Sequence, residues 1–372
     1  MDSKRNILLT PGPATTTETV KMAQIVPDIC PREKEFCELM AEIRNDLLKI
    51  INADKKKYTT VLFGGSGTAV MESVITSVID EEKELLILIN GAYGDRMRKI
   101  AETYSIPFKT LEYESDQSIN FTDVNSYLQS NSDIGYIAMV HHETTTGILN
   151  SIGSFSELGK KYGHTLILDA ISSYAGVPIN LEATPIDYLM STSNKCIQGM
   201  PGLAFIIGNK SKLVQLKNWP TRSFYLSLYD QYDYMEKSGQ MRFTPPVQVI
   251  YALRKAIDEY FKEGGMNRYK RYKKNWQTLR NGLQKLGYEF LLDPKDESHI
   301  LLTVIEPNNQ NFNYSKLHDY LYHRGFTIYP GKINDKNTFR VSNMGAIDHV
   351  DIDHFLITLG LAMDEMDIKI ED

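Results

Sequence analysis

A large α/β unit on a mostly parallel sheet, followed by a smaller α+β unit, is the fold class this 372-residue sequence predicts. Three observations predict it. Short apolar runs bounded by Gly, Asn, Asp or Ser alternate with stretches of helical periodicity through the first half, the β-α-β rhythm of a sheet covered on both faces. After about Pro246 that rhythm gives way to longer helices and briefer strands. The length itself suits roughly two domains.

The predicted strands are Thr60–Phe63, Leu85–Ile89, Ile134–Val140, Thr165–Leu168, Tyr188–Ser191 and Leu203–Ile207, each brief and rich in Leu, Ile, Val or aromatic residues. Between them, Val70, Val74 and Val78 repeat every fourth residue, as do Leu158 and Tyr162, which predicts helices. Further on, Val247, Ile250, Ala252, Leu253 and Ile257 mark one helix; Trp276, Leu279, Leu283 and Leu286 mark another, closed by Gly287. Strand and helix then alternate over His299–Ile305, Tyr314–Arg324, Phe326–Pro330, Phe339–Ser342 and Val350–Met363. A boundary is expected near 250–265, with Gly264-Gly265 as its hinge. The division that follows is a large domain over 15–255 and a small domain formed by 1–14 and 256–372.

Composition narrows the function classes. Hydrophobic residues make up 42% and charged residues 24%, ordinary for a folded globular protein. Lys and Arg number 41 against 47 Asp and Glu, a net charge of −6, which argues against a mainly nucleic-acid-binding or membrane-surface role. Three scattered cysteines, Cys30, Cys37 and Cys196, form neither a disulfide framework nor a CxxC metal motif, so a reducing cytoplasm is expected. The start, charged over Met1 to Arg5 and apolar only at Ile7, Leu8 and Leu9, is too short for a signal peptide. No apolar run nears the ~20 residues of a membrane span.

Four motifs end or follow predicted strands, and a fifth lies within one. Gly64-Gly65-Ser66-Gly67-Thr68 opens a helix, where free N–H groups and two hydroxyls can hold a phosphate; a plain β-α turn is the alternative. Asp169 ends an apolar strand, where it either caps the next segment or faces a positively charged ring nitrogen. Lys195 lies 26 residues further on, in a turn leading to Gln198-Gly199-Met200-Pro201-Gly202; it is either a surface lysine or an amine nucleophile of lowered pKa. His141-His142-Glu143-Thr144-Thr145-Thr146-Gly147 has adjacent imidazoles that diverge, so no metal site is expected, and its hydroxyls suit a phenolate or phosphate oxygen. Arg340, in the alternating strand Thr338-Phe339-Arg340-Val341-Ser342, is either solvated or a fork for a carboxylate or phosphonate.

A phosphate cup, a strand-end Asp, a later strand-end Lys and a late Arg together fit pyridoxal 5′-phosphate. Gly91-Ala92-Tyr93-Gly94 adds an aromatic ring to stack on the pyridine.

The chain resembles the class V, fold-type I aminotransferases, specifically their phosphonate-transaminating branch. The likeness rests on Leu8-Leu9-Thr10-Pro11-Gly12-Pro13, Asn90-Gly91-Ala92-Tyr93-Gly94, Ala138 to Gly147, Asn194-Lys195-Cys196-Ile197-Gln198-Gly199, Arg242-Phe243-Thr244 and Tyr329-Pro330-Gly331-Lys332, in family order over nearly the whole length. The resemblance implies that Lys195 bonds the cofactor aldehyde and Asp169 pairs with its ring nitrogen. Ser66, Gly67 and Thr68 would hold the phosphate, Tyr93 would stack on the ring, Ile171 would pack beneath it, and Thr145 would meet the ring hydroxyl. Thr244 of the partner subunit would add a phosphate contact, making a homodimer with its active site at the interface. Arg340 would grip the substrate anion. The implied reaction interconverts 2-aminoethylphosphonate plus pyruvate with phosphonoacetaldehyde plus L-alanine.

Two departures qualify the likeness. The stretch Pro27 to Phe36 is unlike the aromatic, acidic one of catabolic members and resembles transaminases of phosphonate biosynthesis, with Arg32, Arg222 and Arg242 as further phosphonate contacts. Met241 stands where glyoxylate-using relatives carry Tyr. The rival readings are a serine- or alanine-glyoxylate transaminase and a non-enzymatic binding protein on the same scaffold. Cysteine desulfurase is poor, because no Cys follows Cys196. A dinucleotide dehydrogenase is poor too, because the glycine spacing is wrong.

Overall fold

All six apolar runs are strands of one seven-stranded sheet in a computed structural model that describes residues 6–333 and 336–370. Across the sheet the order is Tyr58–Gly64, Leu203–Asn209, Tyr188–Thr192, Thr165–Asp169, Ile134–Val140, Glu84–Ile89 and Phe108–Glu112. Their side chains are almost wholly buried, because helices cover both faces. Neighbouring strands from Tyr188–Thr192 to Phe108–Glu112 pair in parallel. Leu203–Asn209 is antiparallel to both its neighbours. It follows Tyr188–Thr192 through a bend with no crossover helix, so the chain can only turn back on itself. The edge strand Phe108–Glu112 carries no continuous apolar run, since a half-exposed edge does not require one.

This topology aligns the motifs. Two reversals cancel, so Tyr58–Gly64 points the same way as the parallel strands. Gly64, Asn90, His141, Asp169 and Ser193 therefore all lie at the carboxyl edge, where open sheets place their ligand crevice.

The helix Val247–Glu263 buries Ile250, Leu253, Ile257 and Tyr260 in the large cluster under the sheet. The next helix, Gly265–Lys285, gives Trp276, Leu279 and Leu283 to a second cluster. Gly264 separates them at φ +84°, a conformation that favours glycine. The second cluster lies on the antiparallel sheet Leu301–Ile305, Lys336–Ser342, Tyr329–Ile333. One run expected as a single strand, Phe326–Pro330, divides: Phe326–Thr327 pairs with the N-terminal Ile7–Leu8, and Tyr329–Ile333 joins the hairpin. Ile7 and Leu9 are buried in the second cluster, so the chain's start belongs to the C-terminal packing. Residues 1–5, 334–335 and 371–372 of the expected small-domain ranges lie outside the described residues. Among the described residues no helix is long and apolar enough to cross a membrane.

Candidate active site

The segment expected to hold a phosphate is built as a bare helix start. Gly65 turns the chain at φ +149°, Ser66 is an extended N-cap with no side-chain capping bond, and the helix Gly67–Val78 follows. Its first N–H groups have no partner in the helix, and the exposed Ser66 leaves its hydroxyl clear. A Cβ at Gly67 would come within 2.9 Å of Ile171 Cδ1, so only glycine lets Ile171 lie this close. Thr68 Oγ1 accepts from Arg96 Nη1 at 3.1 Å.

Asp169 is 3% exposed at the end of its strand. Its Oδ1 accepts from Ile171 N at 2.8 Å, closing a local turn rather than starting a helix. Burial pushes the carboxyl up to about 7, the Ile171 bond opposes this, the nearby Glu143 charge adds to it, and Lys195 and Arg96 pull it back. A carboxyl so short of partners calls for a cationic one, such as a protonated ring nitrogen.

Lys195 follows Tyr188–Thr192 in the turn held by Gly199 N donating to Ser193 O at 2.7 Å. It is not a surface lysine: its amine donates to the Pro11 carbonyl, which the N-terminal segment carries across from the second unit. Ala14 N donates to Asn194 O at 3.0 Å and fixes that crossing. Gly12, at φ +137°, has no room for a Cβ, which would land on the Lys195 amine. Burial lowers the amine to about 8; Cys196 and Asp169 resist, while Arg340 and Arg96 add to the drop. A good share of neutral amine is thus present slightly above neutrality.

Arg340, half-buried on Lys336–Ser342, donates from Nη1 to Thr144 O at 3.1 Å and from Nη2 to Pro330 O at 2.9 Å, with Tyr329 4.7 Å beneath it. Its Nε is buried without a partner. That orphaned donor fits an incoming anion. The buried aspartate, the low-affinity amine, the uncapped helix start and this arginine together suit pyridoxal phosphate better than a metal. Among the described residues no cluster of metal-ligating side chains occurs. His141 and His142 diverge onto Ser173 and Ser172, at 2.8 and 2.9 Å, and burial lowers both to about 3.

Sequence reasoning missed two residues. Glu143 is wholly buried and accepts from Tyr93 N, Gly94 N, Thr145 N and Thr145 Oγ1. Arg96 lies one helical turn after Tyr93 with its guanidinium 4.5 Å over that ring, a neighbour that the i, i+3 spacing signals. Conversely, the three arginines expected at the phosphonate are engaged elsewhere. Arg32 donates to Gln240 Oε1 and the Met241 and Arg242 carbonyls, Arg222 to the Thr76 and Ile79 carbonyls, and Arg242 to Phe224 O. Met241 is buried. Thr244 is exposed beyond Phe243, whose ring stacks on Tyr225 at 5.1 Å; the Tyr225 hydroxyl donates to Gly64 O at 3.2 Å.

The chain is similar to known proteins in sequence and in fold. The aminotransferase class-V family profile matches residues 21–355. The 2-aminoethylphosphonate–pyruvate transaminase of Bacteroides fragilis (strain YCH46) is 41% identical over 347 residues, 92% of this chain and 95% of that protein. The enzyme of the same name from Bacillus mycoides (strain KBAB4) is 40% identical over 358 residues, 96% and 97% of the two chains. Among solved structures, ureidoglycine-glyoxylate aminotransferase from Bacillus subtilis superposes with a TM-score of 0.90 at 23% identity, over 100% of this chain and 96% of that one. Alanine–glyoxylate aminotransferase from Nostoc sp. gives 0.90 at 24% identity, over 98% and 96%. These last two establish the fold, an α/β fold-type I aminotransferase.

Proposed function

From the premise that the chain belongs to the class-V aminotransferases, we propose that it uses pyridoxal 5′-phosphate to interconvert 2-aminoethylphosphonate plus pyruvate with phosphonoacetaldehyde plus L-alanine. The names of the two 40–41% identical relatives support that substrate pair. The observation that carries the reading is the pair of buried groups at neighbouring strand ends, Asp169 accepting from Ile171 N and the Lys195 amine donating to the Pro11 carbonyl. Bound pyridoxal phosphate supplies an aldehyde and an electron-accepting ring.

Around it each residue has one task. The helix start at Ser66, Gly67 and Thr68 holds the phosphate, and Thr244 of the partner subunit adds a contact across a homodimer. Tyr93 and Ile171 enclose the ring faces, Thr145 meets the ring hydroxyl, and Asp169 keeps the ring nitrogen protonated through its charge. Lys195 Nζ takes the proton from the substrate carbon bearing the amine and later returns one. Arg340 grips the substrate's anionic end through its free Nε. Phosphonate and carboxylate substrates both carry such an end, so one pocket serves each in turn and the kinetics are ping-pong. The three free cysteines suit a cytoplasmic setting.

The test is a panel of aminoethylphosphonate, serine and alanine against pyruvate, glyoxylate and phosphonoacetaldehyde, run in both directions. Alanine formed from aminoethylphosphonate and pyruvate is the expected result. Serine with glyoxylate as the preferred pair would move the chain to the glyoxylate branch. Lys195→Ala is expected to lose visible absorbance and to lower kcat by ~10³-fold or more. Normal turnover in that variant would reject the assignment.

A further inference from the structure

Arg96 has no task in the proposed reaction, yet it is a cation without a counter-ion. On its own helix, Ala92–Thr103, Arg98 pairs with Asp95 and Glu102, and Lys99 pairs with Asp95. Among the described residues Arg96 pairs with no carboxylate. Its guanidinium donates from Nη1 to Thr68 Oγ1 at 3.1 Å and lies 4.5 Å over the Tyr93 ring. Its charge reaches the pocket, where it lowers the proton affinity of both Asp169 and Lys195. A half-buried guanidinium held by one neutral hydroxyl and one ring face lacks the anion that balances it.

Thr68 is the second residue of the helix Gly67–Val78. Arginine carries donors only, so in this bond the Thr68 oxygen can only accept. The threonine's own proton is left over, and among the described residues it goes to no acceptor. Thr76, further along the same helix, spends its proton on the Glu72 carbonyl at 2.7 Å, an ordinary partner for a helical threonine. We propose that Arg96 is a positioning residue for the cofactor's phosphate, fixing Thr68 as a hydrogen-bond donor and setting a positive charge behind it. This rests on the proposed function, in which the helix start at Ser66, Gly67 and Thr68 holds that phosphate. An ionised phosphate oxygen accepts, so a hydroxyl already committed to donating needs no reorientation when the ligand arrives. The same guanidinium occupies one face of Tyr93 and leaves the other for the cofactor ring.

The experiment is a double-mutant cycle of Arg96→Met and Thr68→Val in the cofactor-stripped full chain. Both residues lie outside the apolar clusters, so neither change removes core packing. The probes are pyridoxal 5′-phosphate, inorganic phosphate, and pyridoxal, the same aldehyde without its phosphate. Thr68→Val is expected to weaken pyridoxal 5′-phosphate about tenfold, the loss of one hydrogen bond to a charged group. Arg96→Met is expected to weaken it too, by about fivefold more with Thr68 present than in T68V, because only there has the arginine a proton to direct. Inorganic phosphate is expected to follow the same pattern. Pyridoxal is expected to bind wild type and variants alike, which a general loosening of the pocket or of Tyr93 does not allow. An equal loss from Arg96→Met in both backgrounds, no loss, or a matching loss for pyridoxal overturns the proposal. Should wild type bind inorganic phosphate with this pattern but not pyridoxal 5′-phosphate, the functional reading fails and the Arg96–Thr68 link stands. Should it bind neither, both fall.

Discussion

Asp169 is held where water cannot stabilise its charge, so the cofactor-free protein carries a pH-dependent cost. Burial puts its folded pKa at about 7, above the ordinary carboxyl value of 3.8. A raised carboxyl contributes stability below its unfolded pKa and loses it as the pH climbs through the folded one. Asp169→Asn removes that loss. The stability gain of the variant over cofactor-free wild type is therefore expected to be larger at about pH 8 than at about pH 5.5, by on the order of 2 kcal/mol. Urea unfolding at the two pH values measures it, and an equal gain at both would mean Asp169 ionises freely in the fold. Cofactor should narrow the gap at the higher pH by supplying a cation to wild type alone. Lys195, Asp169 and Arg340 were legible in the sequence because each follows or sits in an apolar strand, where a charge is conspicuous. Glu143 and Arg96 were not, since their roles depend on what packs opposite: the start of Ala92–Thr103 for one, and Thr68 and Tyr93 for the other.

Among the elements, the N-terminal segment does more than its two-residue strand suggests. Ile7–Leu8 anchors it on Phe326–Thr327, and the segment then runs over Lys195 through Pro11 and Gly12. Gly12→Ala places a methyl on the Lys195 amine at a φ that L-residues avoid, while touching neither apolar cluster. Far-ultraviolet circular dichroism is expected to stay as in wild type, while affinity for pyridoxal phosphate drops by ~10-fold or more. Unchanged affinity would show that the turn yields. The six buried strands, the edge strand Tyr58–Gly64 among them, could be read from composition alone because burial on both faces demands continuous apolar runs. The edge strand Phe108–Glu112 and the short Ile7–Leu8 escaped notice because neither meets that demand. Direction was also hidden: nothing in Leu203–Ile207 says it runs against its neighbours, since a buried strand looks the same either way.

For the whole molecule, the site draws on both packing units and, in the proposed dimer, on a second chain. Asp169 and Lys195 belong to the seven-stranded sheet and its turns, Pro11 to the segment anchored on the second unit, and Arg340 to the antiparallel sheet. Thr244 does not face this pocket as a partner to any of them; it is exposed beside an aromatic patch in which Phe224 is 76% and Tyr225 45% exposed. Rings this open at the rim of the proposed phosphate cup are what a second copy would cover in the proposed dimer. Phe224→Asp puts a charge into that contact without disturbing either core. In sedimentation it is expected to shift the protein from dimer to monomer. Because the monomer lacks Thr244 of the partner subunit, its affinity for pyridoxal phosphate should fall about tenfold, the loss of one hydrogen bond to a charged group. A variant that stays dimeric but binds weakly would mean the patch acts locally through Tyr225 and Gly64. A wild-type monomer with full affinity would remove the shared site altogether and leave Ser66, Gly67 and Thr68 to hold the phosphate unaided.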